Sequence, residues 1–315
     1  VSPTTTRKAI LAVVLLLLLT SGCSAGRGGG RPPVSRPPSA AASGGGGTAG
    51  GAGTSGTSRG AGGGGPFWIV SGQTLARLIA TDRATATRLF DTPSTYVLTG
   101  SGSWDVPAGW SSTPTADFTS YREMRAALAD HRVDPRIRAA LYDNEHWGMT
   151  PASEQADPAR YDRLAAQLAH RHQLTFLAAP STDLASVLRP GLTGGEGAFG
   201  ALLDAGLFGR IAPSADVLDI QGQGAEPDPA KFAAFVRSAA AQARSANPDV
   251  RVLAGISTNP SGQAVTAAGI ERAAQAVRRD VDGFWLNDPA AGAACPRCTG
   301  PLPQTALAVA SALDG

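Results

Sequence analysis

Three segments in the middle of the chain decide its architecture: Arg138-Ala139-Ala140-Leu141-Tyr142-Asp143, a helical stretch opened by Asp157-Pro158, and Leu174-Thr175-Phe176-Leu177-Ala178. The outer two are short apolar runs of strand type, and the one between is Ala-rich with helical spacing. Asp157 caps a proline at the first helical position, where a missing N–H costs nothing. Strand, helix and strand in that order mark a βαβ unit on a parallel sheet.

The same alternation extends in both directions. Further strands are expected at 67–70, 95–99, 217–221, 250–256 and 283–287, and helices at 120–131, 158–171, 229–245, 263–278 and 304–313. Ser120 with Glu123 makes a capping box, and Asp228-Pro229 repeats the start seen at Asp157-Pro158. Seven strands are legible and an eighth would close the ring, so the expected fold is an α/β (β/α)8-type TIM barrel, its eighth strand left open as short, irregular or absent. An open doubly wound sheet is the alternative, but its phosphate fingerprint is missing. Thr193-Gly194-Gly195-Glu196-Gly197 has the glycines without a strand before them, and reads as a loop.

Outside this 66–315 domain the composition changes. Residues 24–65 are almost wholly Gly, Ser, Ala, Pro, Thr and Arg, which cannot bury a core. A coil of that length spans about 35 Å, enough to hold a domain off a lipid surface. Before it, Arg7 and Lys8, an apolar run from Ile10 to Leu19 and the small residues Thr20-Ser21-Gly22 make an export signal over 1–22. The apolar run of about ten residues is too short to span a bilayer, which needs about 20.

Leu19-Thr20-Ser21-Gly22-Cys23 resembles the lipobox of bacterial lipoproteins, with Thr20 where that family usually carries Leu. The resemblance implies a diacylated Cys23, and two acyl chains anchor stably where one is marginal. The expected location is the extracellular side of the cell membrane. With Cys23 so used, Cys295 and Cys298 remain, an even pair in an oxidising compartment, expected to form a structural disulfide.

In parallel barrels the reacting groups sit at the carboxyl ends of the strands. Those ends are polar here: Ser71, Thr99 and Ser101, Asp143 and Glu145, Ser181 and Asp183, Asp219, Gln221 and Gln223, Ser257 and Asn259, Asn287 and Asp288. Strand alternation puts Leu141, Asp143 and Glu145 on one side and Tyr142 and Asn144 on the other. Carboxylates about 6.6 Å apart by strand rise push each other's pKa apart, giving one acid and one base. Glu145 and Asp143 are therefore the catalytic candidates for glycosidic cleavage, with the retaining or inverting course left open. Asp219, Gln221, Gln223, Trp147, Trp285 and Asn287 are the substrate-binding candidates. The amides can meet sugar hydroxyls, and Trp104, Trp110, Trp147 and Trp285 offer flat faces at one rim.

Segments 142–151, 216–223 and 283–289 resemble those of lipoproteins with a glycoside-hydrolase-like barrel from high-GC Gram-positive bacteria. Asp143-Asn144-Glu145 is similar to the end of the family 18 chitinase motif, and Gly283-Phe284-Trp285 to that family's last strand. The resemblance implies Glu145 as the acid, Asp143 as the residue orienting an acetamido group, and Trp285 as the pocket floor. The two earlier Asp positions of the motif hold Arg138 and Leu141.

Other chemistries find little support. The formal charge of +2 is spread among acids along helices, so no nucleic-acid groove is expected. No Ser lies in a nucleophile elbow, and neither a cofactor nor a metal motif is present. The sequence reading is a monomeric, surface-anchored lipoprotein whose barrel acts on a cell-wall or environmental glycan. The alternative is a noncatalytic carbohydrate-binding or envelope-scaffolding lipoprotein, with the same rim holding a glycan or other small polar ligand.

Overall fold

The computed structural model describes residues 65–100, 106–192, 196–292 and 295–315. The leader, Cys23, the Gly/Ser-rich segment through residue 64, Ser101 and Trp104 lie outside the described residues. Eight parallel strands close into a barrel in sequence order: β1 Phe67–Ser71, β2 Thr95–Thr99, β3 Thr113–Phe118, β4 Ala139–Tyr142, β5 Thr175–Ala178, β6 Val217–Ile220, β7 Arg251–Ser257 and β8 Gly283–Asn287. Closure is made by β1 against β8, with Phe67, Trp68 and Ile69 opposite Gly283, Phe284 and Trp285. The (β/α)8-type TIM barrel expected from the sequence is therefore present, and the eighth strand that the sequence left unlocated is there to close it.

The strand that sequence reading missed is β3. Thr113-Pro114-Thr115-Ala116-Asp117-Phe118 has no continuous apolar run and begins with a Thr-Pro pair that suggests a turn. It is held by its neighbours, with Tyr96, Val97, Leu98 and Thr99 on one side and residues 139–142 on the other. Its alternation is real but unusual, since its inward positions are Thr115 and Asp117.

Around the barrel run α1 Gly72–Thr81, α2 Arg83–Phe90, α3 Tyr121–Ala129, α4 Ala152–Ala156, α5 Pro158–Arg171, α6 Ala185–Leu188, α7 Glu196–Asp204, α8 Leu207–Ile211, α9 Pro229–Ala246, α10 Ala267–Val277 and α11 Pro303–Asp314. Their starts follow local chemistry. Ser71 accepts from Thr74 N–H, Asp82 from Thr85 N–H, and Asp228 from the N–H groups of Ala230 and Lys231. Ser120 caps Glu123 N–H at 3.1 Å, but the Glu123 carboxylate reaches back to Thr119 N–H, one residue before the usual partner. α10 begins at Ala267 behind a Thr266 cap, later than the expected 263. Glu196 and Gly197, read as loop, open α7.

Two apolar layers result from strand alternation. Trp68, Val70, Val97, Phe118, Tyr142, Phe176, Leu218, Val252 and Phe284 face the helices, where Trp68 meets Phe90 edge-on at 5.6 Å. Ile69, Tyr96, Leu98, Ala139, Leu141, Leu177, Val217, Leu253 and Trp285 fill the barrel. Inward side chains of such a barrel stack in layers drawn from alternate strands. The strand registers put Ile69, Thr115, Leu177 and Leu253 in one layer, and Leu98, Leu141, Asp219 and Trp285 above it towards the carboxyl ends. Next come Ser71, Asp117, Ala179 and Gly255, then Gly100, Asp143, Gln221 and Asn287. The packed interior thus gives way to small and acidic residues at one end.

Candidate functional site

The carboxyl-end mouth of the barrel is acidic, and its carboxyl groups come from several strands. Asp117 is on β3, Asp143 follows β4, and Asp219 is on β6. The chain beyond β4 stays strand-like for two residues: Asp143 N–H bonds Phe118 C=O, and Asn144 C=O receives Ser181 N–H. Asn144 is buried with its amide donated to Glu154 C=O, so it points outward, while Asp143 points into the mouth. Gln221 fixes Asp143 there, donating from Nε2 to Asp143 Oδ1 at 2.9 Å and to Ala179 C=O at 3.0 Å.

Burial, helped at Asp143, Glu145 and Asp117 by neighbouring acids, favours the neutral form of these groups. Asp143 is 8% exposed, and burial, then Glu145, then Asp117 raise its pKa well above the ordinary range, while the Gln221 bond pulls the other way. Glu145 is half-buried and pushed up to about 7 by lost hydration, with Asp183 and Asp117 adding to the shift. Asp117 is raised to about 7 by burial and by Glu123. Burial alone raises Asp219 to about 8; it is 1% exposed, and neither carboxyl oxygen has a hydrogen-bond partner among the described residues. An unpaired buried acid takes up a proton because an ion there would forgo its hydration.

Beneath them, Trp285 is 8% exposed and packs into the barrel interior. Gly255 has no side chain in the layer above it, and a Cβ placed there would stand 2.4 Å from Gln223 Nε2. The Gln223 amide therefore takes up the room that a residue-255 side chain would need, directly over Trp285 and Asp219. Asn287 is half-exposed at the end of β8, while Asp288 serves the frame. Asp288 accepts from Thr258 Oγ1 and Leu302 N–H and binds Arg77 through its carbonyl and carboxylate.

The structure thus brings Asp143, Glu145, Asp219, Gln221, Gln223 and Trp285 to one mouth. Asp117 joins them unforeseen, because its strand was not recognised; the alternation of Thr115 and Asp117 against Ala116 and Phe118 was the available signal. Trp147 lies beside this mouth but is engaged, its indole N–H donating to Thr150 Oγ1 at 2.7 Å. Trp110 belongs elsewhere and corrects the expectation of a tryptophan rim. It packs against the helix-facing core, and the adjoining Ser111 bonds Asp91 near the amino end of β2. His146 is exposed, with Nδ1 at 2.9 Å from Ser186 Oγ.

Nearby Glu154 is a structural acid. It accepts from the Tyr121 and Arg122 N–H groups at the start of α3 and from the Tyr142 hydroxyl at 2.9 Å. Cys295 and Cys298 are joined by a disulfide across a tight turn after β8. Among the described residues no cluster of His, Cys, Asp and Glu is arranged to hold a metal ion. None of the described helices is long and apolar enough to cross a membrane.

A closed parallel barrel with an acidic carboxyl-end mouth defines the class: a TIM-barrel-like α/β protein. No protein-family model matches the chain, and no curated protein does. Solved structures do. A chitinase from Chromobacterium violaceum ATCC 12472 is 11% identical, covering 79% of this chain and 99% of its own, with a TM-score of 0.45. Triosephosphate isomerase from Bartonella henselae is 14% identical over 78% of this chain and 98% of its own, with a TM-score of 0.37. The YdjI aldolase from Escherichia coli K12 is 13% identical over 79% and 87%, with a TM-score of 0.38. These are distant likenesses of fold.

Proposed function

We propose that the barrel cleaves glycosidic bonds of a cell-wall or environmental glycan, with Glu145 as general acid. The observation that carries this reading is the half-buried Glu145 carboxyl, held to about 7 in a mouth shared with Asp143 and Asp117. An acid with that pKa keeps its proton on about half of the molecules at neutrality and can pass it to a leaving oxygen. Asp143 stays neutral beside it, with Oδ1 engaged by Gln221, so that its carboxyl group presents a hydrogen-bond donor to the sugar. Gln221, Gln223 and Asn287 supply amides to the hydroxyls, and Trp285 forms the floor.

Reducing-end release from defined oligosaccharides by the full chain in detergent tests the reading. Glu145→Gln is expected to lower turnover by about 10²–10⁴-fold while leaving binding within a few fold; a glycan bound but never cleaved by either protein favours the noncatalytic carbohydrate-binding alternative. In this proposal the domain is displayed outside the cell by lipid on Cys23. Wild-type chain should partition into a detergent phase after expression in a bacterium, and Cys23→Ser should move it to the aqueous phase.

A further inference from the structure

The acids at the mouth lack counter-ions. Among the described residues, no ion pair reaches Asp117, Asp143, Glu145 or Asp219. Of the basic groups towards the carboxyl end, Arg77 is bound to Asp288 and Arg189 to Asp204. Lys231 lines a depression of about 370 Å³ with Asp183, Phe199 and Ser261. Segments 101–105, 193–195 and 293–294 contain no Lys, Arg or His.

Asp219 makes this more than a group of surface acids. It is 1% exposed, both its oxygens lack partners, and its place on β6 aims it inward beside Trp285, under Ala179 and Gly255. A buried carboxyl left without a donor is costly, and more so when it is charged. An apolar residue there would pack at no such cost, as Leu98 and Leu141 do in the same layer. The Gln223 amide takes the space beside Gly255, and it is the far end of a flexible side chain that can swing aside.

We propose that this mouth recognises a sugar bearing a free, protonated amine, with the ammonium seated between Asp219 and Asp117, so that the glycan is a de-N-acetylated one. The inference rests on the glycan-cleaving reading and names its substrate class. An ammonium offers the N–H donors that Asp219 lacks and the charge that lets it and Asp117 ionise, leaving the Glu145 proton for the leaving oxygen. An N-acetyl group brings one N–H and no charge, and its methyl would face the carboxyls.

The test is calorimetric titration of the full chain in detergent with three probes: the β-1,4-linked glucosamine tetramer, its N-acetylated counterpart and cellotetraose. The glucosamine tetramer is expected to bind at least about 10-fold tighter than the other two, about 1.4 kcal/mol. Asp219→Asn should weaken that binding about 10-fold or more and leave the other probes unchanged. Asp117→Asn provides a second variant should Asp219→Asn fail to fold, with the same expectation. Equal or tighter binding of either uncharged probe overturns the inference; so does unchanged glucosamine affinity in the folded variants. If an uncharged probe is instead cleaved in a Glu145-dependent manner, the glycan-cleaving reading stands alone. Failure of all three probes to bind removes both.

Discussion

The two ends of the barrel treat their charges in opposite ways. At the amino end, Asp216 accepts from Phe176 N–H at 2.7 Å and from His170, and Asp282 accepts from Val252 N–H at 2.8 Å and from Arg244 at 3.0 Å. Arg251, inside the barrel at that end, lies 3.8 Å from the Phe67 ring centre and donates to the Tyr96 hydroxyl. At the carboxyl end, among the described residues, Asp219 has no partner and Asp117 has one buried oxygen without any. The amino-end acids knit neighbouring strands together, whereas these two inward-facing acids of the mouth tie no strand to another. The contrast separates acids that hold the barrel from the acids on which the proposed ligand recognition rests.

The sharpest way to break this comparison is Glu145→Gln, which should lower turnover by about 10²–10⁴-fold while an amino-end change such as Asp282→Ala leaves rate per folded molecule intact. The activity of the wild type should fall as pH rises through about 7, where Glu145 loses the proton it must donate; a rate that keeps rising to pH 9 would assign the acid elsewhere.

Stability provides the next test. Asp219 titrates at about 8 in the folded chain and at roughly 4 when unfolded. Over that interval the folded state binds the extra proton, so stability declines as pH rises from about 4 to about 8. Asp219→Asn should flatten this decline and raise stability at pH 8 by about 1–3 kcal/mol, allowing for the unmet hydrogen bonds of the amide. Asp282→Ala should lower stability by a similar amount at all those values. Urea titrations at pH 5 and pH 8 compare the two directly.

Smaller effects refine the picture. Arg251→Ala removes a ring contact and a hydrogen bond together and is expected to cost about 1–2 kcal/mol, with no change in ligand affinity. Gly255→Ala should alter stability by less than about 1 kcal/mol, because the clashing Gln223 terminus can move. Its effect should instead appear as weakened ligand binding measured by calorimetry.

Much of this architecture was legible in the sequence, and what was missed has physical causes. Strands such as Arg251–Ser257 announce themselves because both faces are buried, giving a continuous apolar run. β3 does not, since Thr115 and Asp117 face a mouth that is polar, and Pro114 imitates a turn. α1 and α2 were hidden for a different reason. α1 is short and its apolar stripe of Leu75, Leu78 and Ile79 follows a strand without a break, while α2 is only eight residues of mostly Thr, Ala and Arg. At the site, Asp143 and Glu145 could be read from alternation at the end of β4. Their union with Asp117 across a neighbouring strand required the closed ring, because sequence spacing says nothing about which strand ends converge. The tryptophans show the reverse failure, since Trp110 follows β2 in sequence but packs beside the helices.

Ser71, Asp117, Ala179 and Gly255 form a storey of the interior to which two of the four strands bring almost no side chain. At Gly255 the vacancy is taken by the amide of Gln223, which belongs to the segment after β6 and not to the strand itself. The barrel is thus stoppered at this level by a movable plug, with Asp219 and Trp285 sealed beneath it. Bulk added at Gly255 would evict the plug and exchange a removable stopper for a permanent one.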